Sequence, residues 1–181
     1  MKIRLAADLQ TDSIVDGLGI RTVIWTQGCS HNCPNCHNPQ THDFKGGDLV
    51  ELEDVIEELE NLSGQDGVTF SGGDPMFQPE ACNILAKKVH ELGMNVWAYT
   101  GFTYEELLKK GSNDILEFLN NIDVLIDGKF DPDLKSLDCP FRGSTNQRLI
   151  DVPKSLENDK VILFDLNKKQ NNLKKKENLY I

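Results

Sequence analysis

The chain has 181 residues, of which 39% are hydrophobic and 27% are charged, and its formal net charge is −10 at pH 7. These values predict one soluble domain with a single core, and the acidic balance disfavours non-specific binding to nucleic acid. No stretch approaches the roughly 20 apolar residues of a membrane span. The first residues, "MKIRLAADLQTD", lack the apolar run of a signal peptide. We therefore expect a cytoplasmic protein with no nucleic-acid or membrane partner.

The first half of the chain alternates strand and helix patterns. A strand is predicted at residues 22–27, "TVIWTQ", because β-branched and aromatic residues run together there and stop at Gly28. The segment "DLVELEDVIEELENL" predicts a helix, since its apolar residues recur on one helical face. These residues are Leu52, Val55, Ile56, Leu59 and Leu62. A short strand, "GVTFS", then leads into "GGDP", and Pro79 begins the next helix.

The second half continues the alternation. The strand "NVWAYT" ends at Gly101, and Thr103 with Glu106 has the spacing of a capping box for the helix "YEELLKK". A helical pattern follows in "DILEFLNNI", then a strand in "DVLID" and a last strand in "KVILF". No clear helix is predicted between Phe130 and Lys160.

This order of elements predicts an α/β fold of right-handed βαβ units with a mostly parallel sheet. A closed eight-fold barrel usually needs at least about 200 residues, so we expect an open, partial βα barrel. One domain is predicted to span residues 1–165. The basic and polar end, residues 166–181, predicts a disordered tail, with a basic docking arm as the alternative.

Four strands end in unusual polar or glycine-rich sequences. They are "GCSHNC", "SGGDP", "YTGF" and "IDGKF". In parallel α/β folds, ligands bind at the carboxyl ends of the strands. The four segments are therefore predicted to converge on one site.

Cys29, Cys33 and Cys36 form a C-x3-C-x2-C cluster, and the chain lacks the features of a secreted disulfide framework. Three interpretations are open. A zinc site would take His31 or His37 as its fourth ligand. A redox pair through Cys33 and Cys36 would leave the third thiol unexplained. An iron–sulfur cluster normally takes four thiolates, so three would leave one iron open to a substrate or cofactor.

The C-x3-C-x2-C loop after the first strand and "SGGDP" after the second resemble the radical S-adenosyl-L-methionine (SAM) superfamily. Within it, five segments resemble the activating proteins of anaerobic ribonucleoside-triphosphate reductase. They are "VDGLGIRTVIWTQGCSHNCPNCHNPQTH", "TFSGGDPMFQP", "VWAYTGF", "DVLIDGKF" and "FRGSTNQRLIDV". Together they cover most of residues 15–152. The chain has too few cysteines for the second cluster of some pyruvate formate-lyase activating enzymes.

The resemblance implies an oxidoreductase with a 4Fe-4S cluster held by Cys29, Cys33 and Cys36, whose open iron binds SAM. Reductive cleavage of SAM would generate a glycyl radical on the anaerobic (class III) reductase. Reduced flavodoxin or a similar protein is the expected electron donor. Two alternatives remain: an activase of another glycyl-radical enzyme, such as pyruvate formate-lyase, and a zinc-stabilised interaction module.

The resemblance also implies which residues hold the methionine end of SAM. Gly72, Gly73 and Asp74 would receive it, because glycines let the backbone approach a ligand closely. The alternative for Asp74 is a helix cap. Thr100 is expected to border SAM beside Tyr99, for which core packing is the alternative.

The remaining SAM contacts are expected within the cysteine loop and at the end of the strand "DVLID". Asn35, Cys36 and His37 would line the adenosine side, and either Asn35 or His37 would contact adenine. Asp127 and Lys129 would share a face if the strand continued, and a lysine pairs well with a carboxylate. An exposed ion pair at the strand end is the alternative.

Two further predictions concern residues outside these motifs. The polar residues Arg142, Asn146, Gln147 and Arg148 predict a loop that meets either SAM or the reductase. Cys82 lies on the apolar stripe of its helix and is predicted to be a buried packing residue.

Overall fold

The computed structural model describes residues 1–167, apart from the side chain of Lys110. In this part of the chain the strands are β1 (Lys2–Leu5), β2 (Gln10–Ser13), β3 (Arg21–Thr26), β4 (Asp48–Glu51), β5 (Gly67–Gly72), β6 (Asn95–Tyr99), β7 (Val124–Asp127) and β8 (Arg148–Asp151). The helices are α1 (Leu52–Glu60), α2 (Pro79–Glu91), α3 (Tyr104–Lys110), α4 (Asn113–Leu119) and α5 (Val152–Glu157). Single turns of 3-10 helix lie at Pro39–Thr41, Pro75–Phe77 and Pro132–Leu134.

One open sheet has the strand order β4-β1-β3-β5-β6-β7-β8, and β2 also pairs with β3. The central strands β3, β5, β6 and β7 are mutually parallel, with helices in the crossovers that follow β5 and β6. The flanking strands β1, β2, β4 and β8 pair antiparallel. The sheet is not closed, so the predicted open, partial barrel is confirmed. The carboxyl ends of all four central strands lie at the same edge.

The two faces of the sheet have different neighbours, as the alternation along β6 shows. Val96 and Ala98 face the large apolar core that contains the buried sides of α1 and α2, where Cys82 is fully buried as predicted. Trp97 faces the opposite way and belongs to a smaller apolar cluster with Val124. Because side chains alternate along a strand, the next outward position, Tyr99, lies on the side of the smaller cluster.

The fold differs from the predicted elements at its edges. The predicted helix from Asp48 begins only at Leu52, because residues 48–51 form β4 and pair with β1. The segment predicted as a polar loop ends in β8, which pairs antiparallel with β7. Pro153 lies in the first turn of α5, and Asp151 caps this helix by accepting a bond from the Lys154 N–H.

The last predicted strand, "KVILF", is wrong, since the structure contains only a single bridge there, between Ile150 and Leu163. Most of the predicted tail, residues 168–181, lies outside the described residues. The division of the chain at residue 165 therefore stays a prediction. Among residues 1–167, no helix is long and apolar enough to cross a membrane.

Candidate functional site

A cavity of about 450 Å³ lies at the carboxyl ends of the parallel strands. Each of the four strand-end segments contributes to its wall, which confirms their predicted convergence. The shared wall residues are Cys29, Cys33, Cys36, Ser71, Gly72, Gly73, Tyr99, Thr100, Gly101, Gly128 and Phe130. The three thiols of the cysteine loop therefore face the same space as Gly72, which ends β5, and Gly73, which follows it.

The backbone of the cysteine loop turns sharply twice between its ligand positions. Asn32 has φ +51° and Asn35 has φ +54°, a left-handed conformation that asparagine tolerates better than most side chains. The Cys36 N–H donates to the Cys33 carbonyl over 3.2 Å. Asn35 does not line the cavity. Its backbone conformation gives a physical reason for an asparagine at this position. Of the two residues expected to contact adenine, only His37 lines the cavity.

The thiols of the loop are free and partly exposed, so no disulfide competes for them. Burial raises the pKa of Cys29 and Cys33 above the ordinary thiol value, so binding to iron must release their protons. Among the described residues, no three His, Cys, Asp or Glu side chains form a site for a single metal ion. In an iron–sulfur cluster each thiolate binds a different iron, so three thiols that line one cavity suit a multi-iron cluster.

The two histidines of the loop point to other partners than a shared metal. The His31 ring lies against Asp74, with 2.6 Å between Nε2 and Oδ2. The His37 ring packs on Phe130, with 4.5 Å between centroids. His31, His37 and Phe130 all line the cavity. His37 and Phe130 thus offer two aromatic rings, tilted by 44° to each other, at the cavity wall that Cys36 also lines.

Gly72 at the end of β5 and Gly73 after it allow the chain to lie close to β3 and to the start of the cysteine loop. A Cβ at Gly72 would lie 2.4 Å from the Thr26 carbonyl oxygen, and Gly72 has φ +99°. A Cβ at Gly73 would lie 2.4 Å from the Gly28 carbonyl oxygen. Real side chains do not fit at such distances, so only glycine is compatible with this turn. We call Gly72, Gly73 and Asp74 the GGD turn.

Asp74 does not line the cavity, and its side chain is 1% exposed. Oδ1 accepts a bond from the Met76 N–H at the start of the 3-10 turn Pro75–Phe77. Oδ2 accepts from the Thr100 hydroxyl and the Gly101 N–H, over 2.8 and 2.9 Å. This carboxylate therefore caps a helical turn and joins loops beneath the cavity, and its expected contact with SAM stays a prediction.

Asp127 and Lys129 do not share a face, because β7 ends at Asp127 and the chain turns at Gly128 with φ +92°. The buried Asp127 carboxylate accepts from the Tyr104 N–H over 2.8 Å and from Arg148 Nε over 3.0 Å. The Asp127 side chain is thus bonded within the fold, and its expected contact with SAM stays a prediction. Lys129 is exposed, and its charge opposes the rise in the pKa of Cys33.

Arg142 is the residue of the predicted polar loop that the structure brings to the cavity, together with Gln147. Its Nε is buried and has no hydrogen-bond partner among the described residues, while Nη1 donates to the Gln147 carbonyl over 3.3 Å. Arg148 lies away from the cavity on β8. A buried guanidinium N–H without a partner favours an anionic ligand. The donors at the cavity therefore fit both an iron–sulfur cluster and a carboxylate-bearing cofactor.

Arg21 is a supporting residue that sequence reasoning missed. It is fully buried, and burial lowers its pKa to about 10. Its Nε donates to the Thr69 hydroxyl over 2.6 Å, and that hydroxyl donates to the Asp16 carbonyl over 2.7 Å. Val15 and Asp16 line the cavity, so Arg21 fixes this part of its wall. A charged residue beginning the apolar strand "RTVIWT" was the available sequence clue.

Residues 15–150 match the family model described as "4Fe-4S single cluster domain". The chain is 36% identical over 142 residues to the anaerobic ribonucleoside-triphosphate reductase-activating protein of Salmonella typhi, covering 74% of this chain and 90% of the relative. The corresponding protein of Enterobacteria phage T4 is 34% identical over 141 residues, covering 75% and 86%.

The chain also resembles the pyruvate formate-lyase-activating enzyme of Clostridium pasteurianum. The two are 37% identical over 110 residues, which cover 56% of this chain and 46% of that enzyme. Among solved structures, QueE from Escherichia coli superposes with a TM-score of 0.49 and 14% identity, covering 70% of each chain.

Proposed function

The chain belongs to the family of anaerobic ribonucleoside-triphosphate reductase-activating proteins and contains an iron–sulfur cluster domain, and from this premise we propose that it uses a 4Fe-4S cluster and SAM to generate a glycyl radical on the anaerobic reductase. The observation that carries the proposal is the shared cavity. Three free thiols, the two glycines of the GGD turn and the guanidinium of Arg142, whose Nε has no partner among residues 1–167, meet there.

Cys29, Cys33 and Cys36 are the proposed cluster ligands. They are the only cysteines that line the cavity among the described residues, while Cys82 is buried in the core and Cys139 lies in a loop. Three ligands leave one iron without a protein donor, and an open position is what a catalytic metal site requires.

The backbone around Gly72 and Gly73 is the proposed seat for the methionine end of SAM. Without side chains, this backbone can approach a ligand closely, and it lies beside the cysteine loop. Arg142 and the exposed Lys129 are the proposed partners of the SAM carboxylate, since both are cations near the cavity or its cysteines. Arginine in particular offers a forked set of donors that matches a carboxylate.

His37 is proposed to border the adenosine side of SAM, together with Cys36 and Thr100. The tilted packing of His37 on Phe130 presents an apolar and aromatic wall against which a nucleobase could stack. The hydroxyl of Thr100 is already bonded to Asp74, so its contribution to the cavity wall is shape rather than a free donor.

When bound, the cluster supplies the electron for reductive cleavage of SAM, and we propose a reduced flavodoxin-type protein as the donor. The chain's own residues bind and orient the cofactor and exclude water. Phe130 and Phe141 belong to the cavity wall. The Tyr99 hydroxyl donates to the Phe141 carbonyl over 2.9 Å, which holds this apolar wall in position.

Anaerobic reconstitution tests the proposal. The wild-type protein should bind about four irons per chain and cleave SAM when a reductant is added. Cys36→Ala should lose both properties, whereas the matched variant Cys139→Ala should keep both, because Cys139 does not line the cavity. One zinc per chain with no SAM cleavage would support the zinc-stabilised module instead.

A second candidate function is activation of pyruvate formate-lyase, which the 37% identity to a pyruvate formate-lyase-activating enzyme favours. That relative aligns over less of this chain, and the chain covers less than half of its length. The two candidates share the cofactor chemistry and differ only in the protein that receives the radical.

A further inference from the structure

We propose that His31 is a positioning residue: through Asp74 it holds the cysteine loop in register with the GGD turn. The pairing itself is a property of the chain alone, while its consequence for SAM rests on the proposed function. Nothing in the C-x3-C-x2-C pattern assigns a role to the middle one of the three residues between the first two cysteines. His31 occupies that place, two residues from both Cys29 and Cys33.

The first support is a short, buried contact. His31 Nε2 lies 2.6 Å from Asp74 Oδ2, and the two side chains are only 8% and 1% exposed. Because a carboxylate oxygen accepts, Nε2 is the donor of this bond. Hydrogen bonds to an ionised acceptor are stronger than neutral ones, and a low local dielectric strengthens them further.

The second support is the number of loops that meet on the same carboxylate. Asp74 Oδ2 also accepts from the Thr100 hydroxyl and the Gly101 N–H, which lie just beyond β6. The cysteine loop, the GGD turn and the end of β6 are therefore tied to one oxygen atom. His31 is the only one of these donors that belongs to the cysteine loop.

The third support is the confined position of the imidazole ring. It packs edge-on against Phe102, with 4.5 Å between centroids, and tilted against Phe77 at 5.7 Å. A Cβ at Gly101 would lie 2.4 Å from the ring. A ring enclosed in this way has one position, so the loop that carries it has one position as well.

A backbone hydrogen bond also joins the GGD turn to the residue just before the cysteine loop. The Asp74 N–H donates to the Gly28 carbonyl over 3.0 Å, immediately before Cys29. The GGD turn is thus bonded to the loop once through its backbone and once through His31. Without the His31 bond, the GGD turn would keep its bond to Gly28, but the segment between Cys29 and Cys33 would lose its bond to the turn.

Loss of the His31 bond should therefore affect iron uptake and SAM binding differently. The three cysteines suffice as proposed cluster ligands, so a variant without the imidazole should still take up iron. The distance between the cluster and the backbone of Gly72 and Gly73 would no longer be fixed. Binding of SAM needs both at once, so SAM affinity should fall more than iron content.

The first experiment compares reconstituted His31→Ala, His31→Gln and His90→Ala. His90 is a matched histidine that lies half-exposed on α2, where its ring contacts the Asn121 carbonyl. His31→Ala should keep at least most of the iron and bind SAM about tenfold more weakly, the effect of one charge-assisted hydrogen bond. The SAM-induced change in the electron paramagnetic resonance (EPR) spectrum of the reduced cluster should shrink accordingly.

His31→Gln retains a donor at the end of its side chain and should recover part of the SAM affinity. His90→Ala should match the wild type in iron content, SAM affinity and spectrum. Wild-type SAM affinity in His31→Ala would overturn the proposal. So would a parallel loss of iron and SAM in both His31 variants, because the residue would then serve cluster assembly rather than register.

The second experiment needs no cofactor. A double-mutant cycle of His31→Ala and Asp74→Ala is measured by denaturant unfolding of the iron-free chain. The two changes should be coupled, so that the double variant unfolds at a higher denaturant concentration than additivity predicts. Strict additivity would overturn the pairing even if the wild type activates the reductase. Coupling in a chain that binds no SAM would instead uphold the pairing and refute the proposed function.

Discussion

Asp74 and Asp127 occupy matching places in the fold but support different parts of it. Each carboxylate lies at the carboxyl end of a parallel strand, and each is only 1% exposed. The partner of Asp74 is His31, in the cysteine loop. The partner of Asp127 is Arg148, which is on the edge strand β8. One carboxylate therefore supports the proposed cofactor site, and the other supports the sheet and the start of α3.

The residues that face the cavity form a different class from these two acids. They are mostly thiols, glycines and aromatic rings, with Arg142 as the cation whose Nε has no partner in the described chain. Buried charges need partners of their own to offset desolvation, so Asp74 and Asp127 are occupied by the protein. The cavity wall itself stays available to a ligand.

Removing Asp74 should have the largest effect. In Asp74→Ala, four donors, including His31, lose their acceptor, and the iron-free chain should lose about 3–5 kcal/mol of unfolding free energy. SAM binding should be lost with it, which equilibrium dialysis of the reconstituted protein measures. Asp74→Asn should be milder in both respects, since its amide oxygen can still accept. Unchanged SAM affinity in a folded Asp74→Ala protein would contradict the assignment.

Removing Arg148 should affect stability alone. Arg148→Ala leaves Asp127 buried with the Tyr104 N–H as a partner, and it also breaks the pair with Glu105. Because Arg148 is one-third exposed, the expected loss is about 2–3 kcal/mol, below or at the low end of the range for fully buried pairs. Denaturant unfolding measures that loss. Iron content and SAM affinity should match the wild type at temperatures where the variant is folded. A drop in SAM affinity at those temperatures would show that the Asp127 pair also supports the cofactor site, as we propose for Asp74.

Much of this site could be predicted from local sequence, but the roles of the two acids could not. The strand ends and the cysteine cluster are local patterns, and the structure brings them together as expected. Asp74 and His31 are 43 residues apart, and Asp127 and Arg148 are 21 apart. No local periodicity encodes such a pair, so a free acid at a strand end looks the same as a paired one.

The missed strands have a similar explanation. β1 and β4 are four-residue strands at one side of the sheet, and β4 is mostly exposed. Their pairing, rather than their composition, makes them strands. For β8, the apolar residues of "RLID" become recognisable only when they pair with β7. The sequence does contain a local sign of the helix α5, because Asp151 is a good capping residue and Pro153 suits a first helical turn. The prediction did not use this sign.

An added methyl group at Gly73 tests the contact between the GGD turn and the cysteine loop. In Gly73→Ala the Cβ would meet the Gly28 carbonyl oxygen at 2.4 Å, and relieving this overlap should cost about 1–3 kcal/mol. SAM affinity should fall as well, because the turn must move away from the loop. Calorimetry of SAM binding and thermal unfolding measure the two effects.

Gly64→Ala is the matched control for that change. An added Cβ there meets nothing within 4 Å, although the backbone has φ +72°. The expected cost is about 1 kcal/mol of backbone strain, with SAM affinity unchanged. Equal SAM affinities in the two variants would show that Gly73 does not set the position of the turn.

Changes at Arg142 should have the smallest effect on the fold and a selective effect on the ligand. Arg142→Gln removes the cation from the cavity and should weaken SAM binding about tenfold, the value of one charge-assisted contact. Arg142→Lys should recover part of this loss. Thermal unfolding without SAM should differ little from the wild type, since within residues 1–167 the Arg142 side chain makes one hydrogen bond, to the Gln147 carbonyl. Equal SAM binding in all three proteins would exclude Arg142 as the carboxylate partner.

The most direct test of the account presents two glycyl-radical proteins to the same reconstituted, reduced activase with SAM. EPR spectroscopy then measures the glycyl radical on anaerobic ribonucleoside-triphosphate reductase and on pyruvate formate-lyase, with Cys36→Ala as the inactive control. We expect the radical signal on the reductase, none on pyruvate formate-lyase, and none with Cys36→Ala. A radical on pyruvate formate-lyase alone, or on neither protein despite a full complement of iron, would contradict the proposed function.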